Sequence, residues 1–327
     1  MAQPDVKSLI TAVPLINASI AYRNRNYIAD RVFPIIDNVA PKAKIAKYLK
    51  GAWYRDEAGI RGPGARAPRG GYPTTTVAIA TQEYAFAKEV TDEDRRFVNA
   101  QGAPPLQPDI DALEFCADKI DLKKERLVAS TILSGTWVDG NAGGEDAAGL
   151  WAAGSSNTFL ADIRKATAAI QAACGMTPNK LILDFKTYNS LKEETTLLTK
   201  IQYTERGVLT VDLLAALLDL DEVLVGSAIY SSAKETKAGT DFTAVQIWEV
   251  NAGKGAGFLF YAPPTMTLKS LSAGAQARVA YENGMPRRVM KWREEAEHQD
   301  VYEVAEEVDI LQVCSECGYL FNDTYAT

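Results

Sequence analysis

Lys44-Ile-Ala-Lys-Tyr-Leu-Lys-Gly-Ala-Trp-Tyr54, Gly59-Ile-Arg-Gly-Pro-Gly-Ala-Arg-Ala-Pro-Arg-Gly-Gly71 and Thr74-Thr-Thr-Val-Ala-Ile-Ala-Thr-Gln-Glu-Tyr-Ala-Phe-Ala-Lys-Glu-Val90 make one long excursion of the chain. The first piece reads as a strand. The third, rich in Thr, Val, Ile, Tyr and Phe, reads as a second strand. Gly and Pro punctuate the middle piece throughout, so it is neither helix nor regular strand. Two strands with a wide tip make a protruding hairpin over residues 42–91. An isolated hairpin is at best marginally stable in water, so this one needs a partner surface.

Charge says which sort of surface. Residues 42–71 carry eight basic side chains (Lys42, Lys44, Lys47, Lys50, Arg55, Arg61, Arg66, Arg69) against Asp56 and Glu57, a net +6. Residues 294–309 carry eight acidic ones (Glu294, Glu295, Glu297, Asp300, Glu303, Glu306, Glu307, Asp309) and no Lys or Arg, a net −8. Opposed patches of this size favour steered docking of one surface on the other. The candidate contacts on the loop side are therefore Lys47, Lys50, Trp53, Arg55, Arg61, Arg66 and Arg69. On the acidic side they are Glu294, Glu295, Glu297, Asp300, Glu303, Glu306 and Glu307. Two other readings stand beside this one. The basic loop could hold nucleic acid, with only Trp53, Tyr54 and Tyr72 to stack bases, or the two runs could be unrelated solvated faces.

Upstream, residues 1–41 mix Pro, Asn and apolar residues without sustained periodicity. They read as an arm that crosses a surface and closes no core of its own. Downstream, residues 108–135 form the longest helical pattern. Pro108 suits the first turn and Asp109 and Asp111 the positive end. Ile110, Leu113, Ala117, Ile120, Leu127 and Thr131 keep helical spacing, interrupted at Lys124. Residues 157–174 follow as an amphipathic helix. Lys180-Leu-Ile-Leu-Asp184 and Glu222-Val-Leu-Val-Gly226 read as buried strands, with helices over 185–194 and from Val211 between them. Residues 242–250 and 258–261 read as a hairpin. Strand, helices, strand and hairpin make a small mixed domain. Residues 266–271, 275–282, 287–295 and 301–313 then return as strands. The fold class is α+β.

The chain has 327 residues, 47% hydrophobic and 24% charged, with a net charge of −7. That length suggests about two domains. The composition excludes a disordered or collagen-like chain, and the acidic balance argues against phosphate binding by the whole surface. No apolar run reaches the roughly 18 residues of a spanning helix, and the N-terminus lacks the pattern of a secretory signal. His298 is the single histidine, so a two-His metal site within one chain is excluded; it reads as solvated. Cys314-Ser-Glu-Cys317 is a lone C-x-x-C, and Cys116 and Cys174 sit in Ala-rich helical patterns as small buried residues. No zinc or redox chemistry is expected from them, and few cysteines suit a reducing cytoplasm. Gly140-Asn-Ala-Gly-Gly-Glu145 and Gly253-Lys-Gly-Ala-Gly257 miss the phosphate-loop and dinucleotide spacings and read as turns. No catalytic, metal or cofactor site is expected. The enzyme alternative is a cytoplasmic α+β protein using carboxylates such as Asp184 or Glu193.

The succession of arm, long two-stranded loop, long helix, inserted α/β domain and returning strands resembles the HK97-fold major capsid proteins of tailed bacteriophages. The pieces that carry the likeness are Met176-Thr-Pro-Asn-Lys-Leu-Ile-Leu-Asp-Phe-Lys-Thr-Tyr-Asn-Ser-Leu191, Asp221-Glu-Val-Leu-Val-Gly-Ser-Ala228 and Val245-Gln-Ile-Trp-Glu-Val250, and it extends over about residues 40–327. The resemblance implies an arm at 1–41, an extended loop at 42–91, a peripheral domain at 92–177 plus 265–327 with a spine helix, and an axial domain at 178–264. It implies that the loop lies on a neighbouring subunit's peripheral domain. Axial domains would meet around five- and six-fold axes, with residues 196–210 near that contact. The implied function is self-assembly as hexamers and pentamers into an icosahedral shell enclosing phage double-stranded DNA. Assembly would take place in the host cytoplasm and end in the virion. Implied partners are copies of the chain itself, separate scaffolding, portal and decoration proteins, and DNA by weak non-specific contact; no membrane and no cofactor are implied. An encapsulin-like cellular compartment is the alternative on the same fold. Nothing marks Lys42, Lys44, Lys47 or Lys50 as buried and activated, so no covalent cross-link is expected.

Overall fold

The structure, a computed structural model, describes residues 24, 26–98, 106–147, 151–152, 157–201, 209–234, 241–250, 253–267, 270–281 and 284–325. The chain opens with Ala29–Val32 (α1) and Ile35–Ile36 (β1). Lys42–Tyr48 (β2), Lys50–Trp53 (α2) and Thr74–Ala80 (β3) build the excursion, and Gln82–Thr91 (β4) leaves it. Asp92–Val98 (α3), Pro108–Leu133 (α4), Glu145–Asp146 (β5) and Phe159–Cys174 (α5) follow. Then come Lys180–Asp184 (β6), Phe185–Leu191 (α6), Thr195–Ile201 (α7), Val211–Leu218 (α8), Glu222–Gly226 (β7), Ile229–Ser231 (β8) and Ala244–Gln246 (β9). Gly257–Phe260 (β10), Gly274–Arg278 (β11), Arg288–Glu294 (β12), Gln299–Gln312 (β13) and Gly318–Asn322 (β14) complete the order.

The first sheet is organised by β13. One edge of this 14-residue strand pairs antiparallel with β4, from Gln299↔Thr91 to Val308↔Gln82. The other edge takes β12 over its first half and β11 over its second, and β1 adds parallel to β11. The helix α4, 26 residues and about 39 Å long at 1.5 Å per residue, packs across β13 and β4. The second sheet runs β5-β14-β10-β6-β7, with β6 and β7 parallel. Its centre, β10, is Gly257-Phe-Leu-Phe260, buried on both faces. That explains one departure from expectation. Such a strand needs a neighbour on each edge, so it pairs with β6 and β14 and makes no hairpin with residues 242–250. The short, half-exposed β9 pairs with β8 instead. The C-terminal β14 thus crosses from the region of the first sheet into the second.

Three further expectations change. The arm closes a core after all, from Ile28 onward: Ile28, Ala29, Val32 and Phe33 are buried, and the Phe33 ring stands edge-on to Phe260 at 5.7 Å. Residues 1–23 lie outside the described residues, as do 202–208 of the polar linker. The expected strand over 74–90 is two strands, because the chain changes partner at Thr81, from β2 to β13. The packed face of α4 overlaps the expected apolar stripe only at Ile120 and the half-buried Leu113. It climbs in four-residue steps through Ala112, Cys116, Ile120, Lys124, Val128 and Ile132, with Glu125 and Ala129 beside it, while Ile110 is exposed.

Two charged residues therefore sit inside, and both are answered. Lys124 pairs with Glu306 of β13 at 2.9 Å and with Asp30; Glu306 also holds Arg287 at 2.8 Å, and Arg287 reaches Asp121. Glu125 accepts hydrogen bonds from the amides of Ile28 (3.0 Å) and Ala29 (2.7 Å) and from Trp248 Nε1 (2.6 Å). Burial pushes the Glu125 carboxyl up from its ordinary value, and these donors pull it back. One carboxylate so ties α4, the start of α1 and the Ile247-Trp248 piece that follows β9 together. Trp248 in turn needs Gly226 at the end of β7: a Cβ there would lie 2.3 Å from the indole. Glu125→Ala leaves three buried donors without an acceptor. At 1–3 kcal/mol for each unsatisfied group, we expect a loss of about 3 kcal/mol or more, read from urea unfolding of the unassembled chain followed by far-ultraviolet circular dichroism.

Candidate assembly surface

The excursion has a docked base and an exposed tip. Alternation along β2 and β3 turns Ala43, Ile45 and Ile79 toward Ala277, Leu311 and Val313 of the same chain. Lys47 Nζ donates to the Val313 carbonyl at 2.9 Å. Lys50 Nζ reaches Glu316 at 2.8 Å and the Ala173 carbonyl at 2.9 Å, and the Tyr54 hydroxyl donates to the Cys174 carbonyl. The expectation that residues 42–90 as a whole leave their own body is corrected here: Lys47 and Lys50, two proposed inter-subunit contacts, are engaged within their own chain.

Beyond Tyr54 none of the described residues covers the loop. Tyr48, Trp53 and Tyr72 form an aromatic knot, with ring centroids 5.6 Å (Tyr48–Trp53) and 5.8 Å (Tyr48–Tyr72) apart, and it closes the ribbon. Residues 53–76 are all exposed, Trp53, Ile60 and Tyr72 among them. Arg55 pairs locally with Glu57 at 3.0 Å and Arg61 donates to the Ala65 carbonyl at 2.6 Å; Arg66 and Arg69 are exposed. Large exposed aromatic and aliphatic groups on a narrow projection mark an interaction surface.

The acidic run is used differently from its appearance in sequence. Successive residues of β13 face opposite ways, so Asp300, Tyr302, Val304 and Glu306 share the face turned to α3 and α4. Asp300 is buried among Arg95 (2.7 Å), Lys291 (3.0 Å) and Arg293 (3.3 Å). Glu306 is the partner of Lys124 and Arg287; Glu303 pairs with Arg288 at 3.3 Å. Glu307 accepts from the Thr81 hydroxyl and Asp309 from the Ala80 amide at 2.9 Å. Of the proposed acidic side, then, Asp300, Glu303, Glu306 and Glu307 are bound within the chain. Glu294, Glu295 and Glu297 remain at the β12–β13 turn, where Gln299 bridges Glu294 and Glu297, and Glu295 and Glu297 are exposed. His298, exposed in a left-handed conformation (φ 50°), completes that turn.

Sequence reading missed a second apolar surface. Phe86 of β4 and Phe115 of α4 are both exposed and stack edge-on at 5.7 Å. Beside them Tyr84, Lys119, Lys123 and Arg126 line an open cleft of about 440 Å³. The signal was Phe115 on the outer side of the helix ladder. Of the two enzyme candidates, Glu193 is exposed and Asp184 is spent structurally: it caps α6 through the Lys186 (2.9 Å) and Thr187 (3.2 Å) amides and accepts from the Ala256 amide at 3.2 Å. Among the described residues no group of His, Cys, Asp and Glu is arranged to hold a metal ion, and no helix is long and apolar enough to cross a membrane.

No family model matches the chain. It is 25% identical over 271 residues, 82% of its length, to the major capsid protein of Burkholderia phage BcepMu, of which 79% is covered. A phage-related protein from Bordetella bronchiseptica RB50 superposes with a TM-score of 0.67 at 19% identity, over 94% of this chain and 95% of that one. The capsid of Cyanophage P-SCSP1u superposes with a TM-score of 0.61 at 12% identity, over 100% and 95%. The fold is the α+β HK97 capsid fold.

Lys291 first, then Arg95 and Arg293, hold the Asp300 carboxyl down from 3.8 to about 2. A depressed carboxylate contributes stability that is complete above its unfolded value and is lost as pH falls through its folded one. Asp300→Asn should therefore lower stability at neutral pH, by on the order of 1–2 kcal/mol, and flatten the loss of urea midpoint between 3.8 and about 2. A variant as acid-sensitive as the parent would contradict this.

Proposed function

We propose that the chain is the major capsid protein of a tailed phage, assembling as hexamers and pentamers into an icosahedral shell around double-stranded DNA. The observation that carries this reading is the match to a phage major capsid protein over four-fifths of both chains, on a fold shared with a solved phage capsid. The role is structural, without catalysis, and its place is the virion. Residues 92–177 and 265–327, with α4 as the spine, are the peripheral domain, and residues 178–264, with β6, α6 to α8, β7 and β10, are the axial domain. Scaffolding, portal and decoration proteins are separate partners, and DNA is met by weak, non-specific contact. The same fold serves encapsulin-like compartments, but the curated relative favours a phage head.

The loop tip supplies the mechanism. Trp53, Ile60 and Tyr72 lie in water on the single chain and are buried on a neighbour, at about 1.5–3 kcal/mol for each fully covered side chain. The neighbour's exposed Phe86 and Phe115 offer the apolar part of that seat. Arg61, Arg66 and Arg69 steer the approach toward Glu294, Glu295 and Glu297 of the neighbour. Each contact is weak, but every subunit makes several, and multivalency makes the shell stable.

The test is negative-stain microscopy of the expressed chain, which should show shells tens of nanometres across. Reversal of Arg61, Arg66 and Arg69 to Glu should cut shell yield by roughly tenfold or more and weaken the dependence of assembly on salt. Normal assembly with unchanged salt sensitivity would refute the steering role. A small oligomer from the parent chain would refute the shell.

A further inference from the structure

Three of the four cysteines meet in space. Cys174 ends α5, Cys317 ends the 3-10 turn Ser315–Cys317, and Cys314 precedes that turn; all three are buried. The packing of α5 on the 3-10 turn brings the Cys317 side chain close to both Cys174 and Cys314. The Cys317 amide donates to the Cys314 carbonyl at 3.2 Å, so the C-x-x-C is a closed four-residue turn. Such a turn holds its end Cα atoms within about 7 Å, the span that a disulfide bridges.

The loop base lies directly over this cluster. Its contacts go to residues next to the cysteines: Lys47 to Val313, Lys50 to Glu316 and Ala173, and Tyr54 to Cys174 itself. Tyr54 also packs on Gly175, whose left-handed φ of 72° ends α5, at 3.1 Å from where a Cβ would stand.

We propose that Cys314 and Cys317 are a thiol modification site that closes to a disulfide when a small disulfide oxidant reaches it, with the loop base as the lid that controls access. The Cys314 thiolate attacks one sulfur of the oxidant, displaces one small thiolate and forms a mixed disulfide. The Cys317 thiol then gives up its proton and attacks the Cys314 sulfur. The protein disulfide forms and a second small thiolate leaves. The protein loses two hydrogens and the oxidant is reduced to two thiols. The neighbouring Cys317 thiol holds Cys314 below the usual thiol range, which suits the attacking role, while Cys174 and Cys314 together push Cys317 above it. If the chain is a shell protein, which rests on the reading above, the site stays open in a reducing cell and closes on release.

The test uses the unassembled full chain and oxidised glutathione, so its failure is separate from any failure to assemble. Mass spectrometry should show loss of two hydrogens, and peptide mapping should join Cys314 to Cys317 and leave Cys116 and Cys174 as thiols. Cys174→Ala should keep the bridge, and Cys314→Ala and Cys317→Ala should lose it. Lys50→Ala, which removes two lid contacts, should speed closure several-fold with the same product. Four free thiols after exposure, a bridge between another pair, or a rate indifferent to Lys50 would overturn the proposal. The mapping is made on the unmodified chain, so that result needs no variant to fold.

Discussion

A lysine in the middle of a packed helix face has one acceptable position. Lys124 must lie against a carboxylate, and Glu306 on β13 is that carboxylate. Removing one member of such a buried pair strands the other charge at a cost of about 3–5 kcal/mol. The pair therefore fixes how far along β13 the helix sits. Asp30 and Arg287 join the same cluster and bring the arm and the start of β12 with them. Glu125, one residue on, fixes the Ile247-Trp248 piece through the indole N–H.

That register decides what is left over. With Glu306 turned to α4, alternation places Asp300 on the same face among three bases, and Glu307 and Asp309 close on the loop base. The carboxylates that a count along the chain set against the basic loop are largely consumed in holding their own subunit. The excess positive charge of the tip is not answered by them, and its aromatic groups lie in water. It is this projection that we propose a neighbouring copy covers.

Much of this was legible in the residues. The spine helix was marked by Pro108 and two aspartates, and the buried strands by their apolar runs. The excursion was marked by its Gly and Pro. The Gly226 and Trp248 pieces drew notice as a likeness, and the structure supplies the reason: the missing Cβ makes room for the indole. What was not legible depended on three dimensions. Lys124 looked like an interruption because a lone sequence shows no partner for it. Asp300 and Glu306 looked like free surface charge because a tally does not separate the two faces of a strand. The nearness of Cys174 to Cys317, over a hundred residues apart, is a product of the packing of α5 on the last turn.

Residues 55–76, exposed on one subunit, are on our proposal covered in the assembly. Limited tryptic digestion reads this directly, since Arg61, Arg66 and Arg69 are all in the tip. The account predicts rapid cleavage at these sites in the unassembled chain and strong protection in intact shells. Cleavage at the same rate in both states would contradict it.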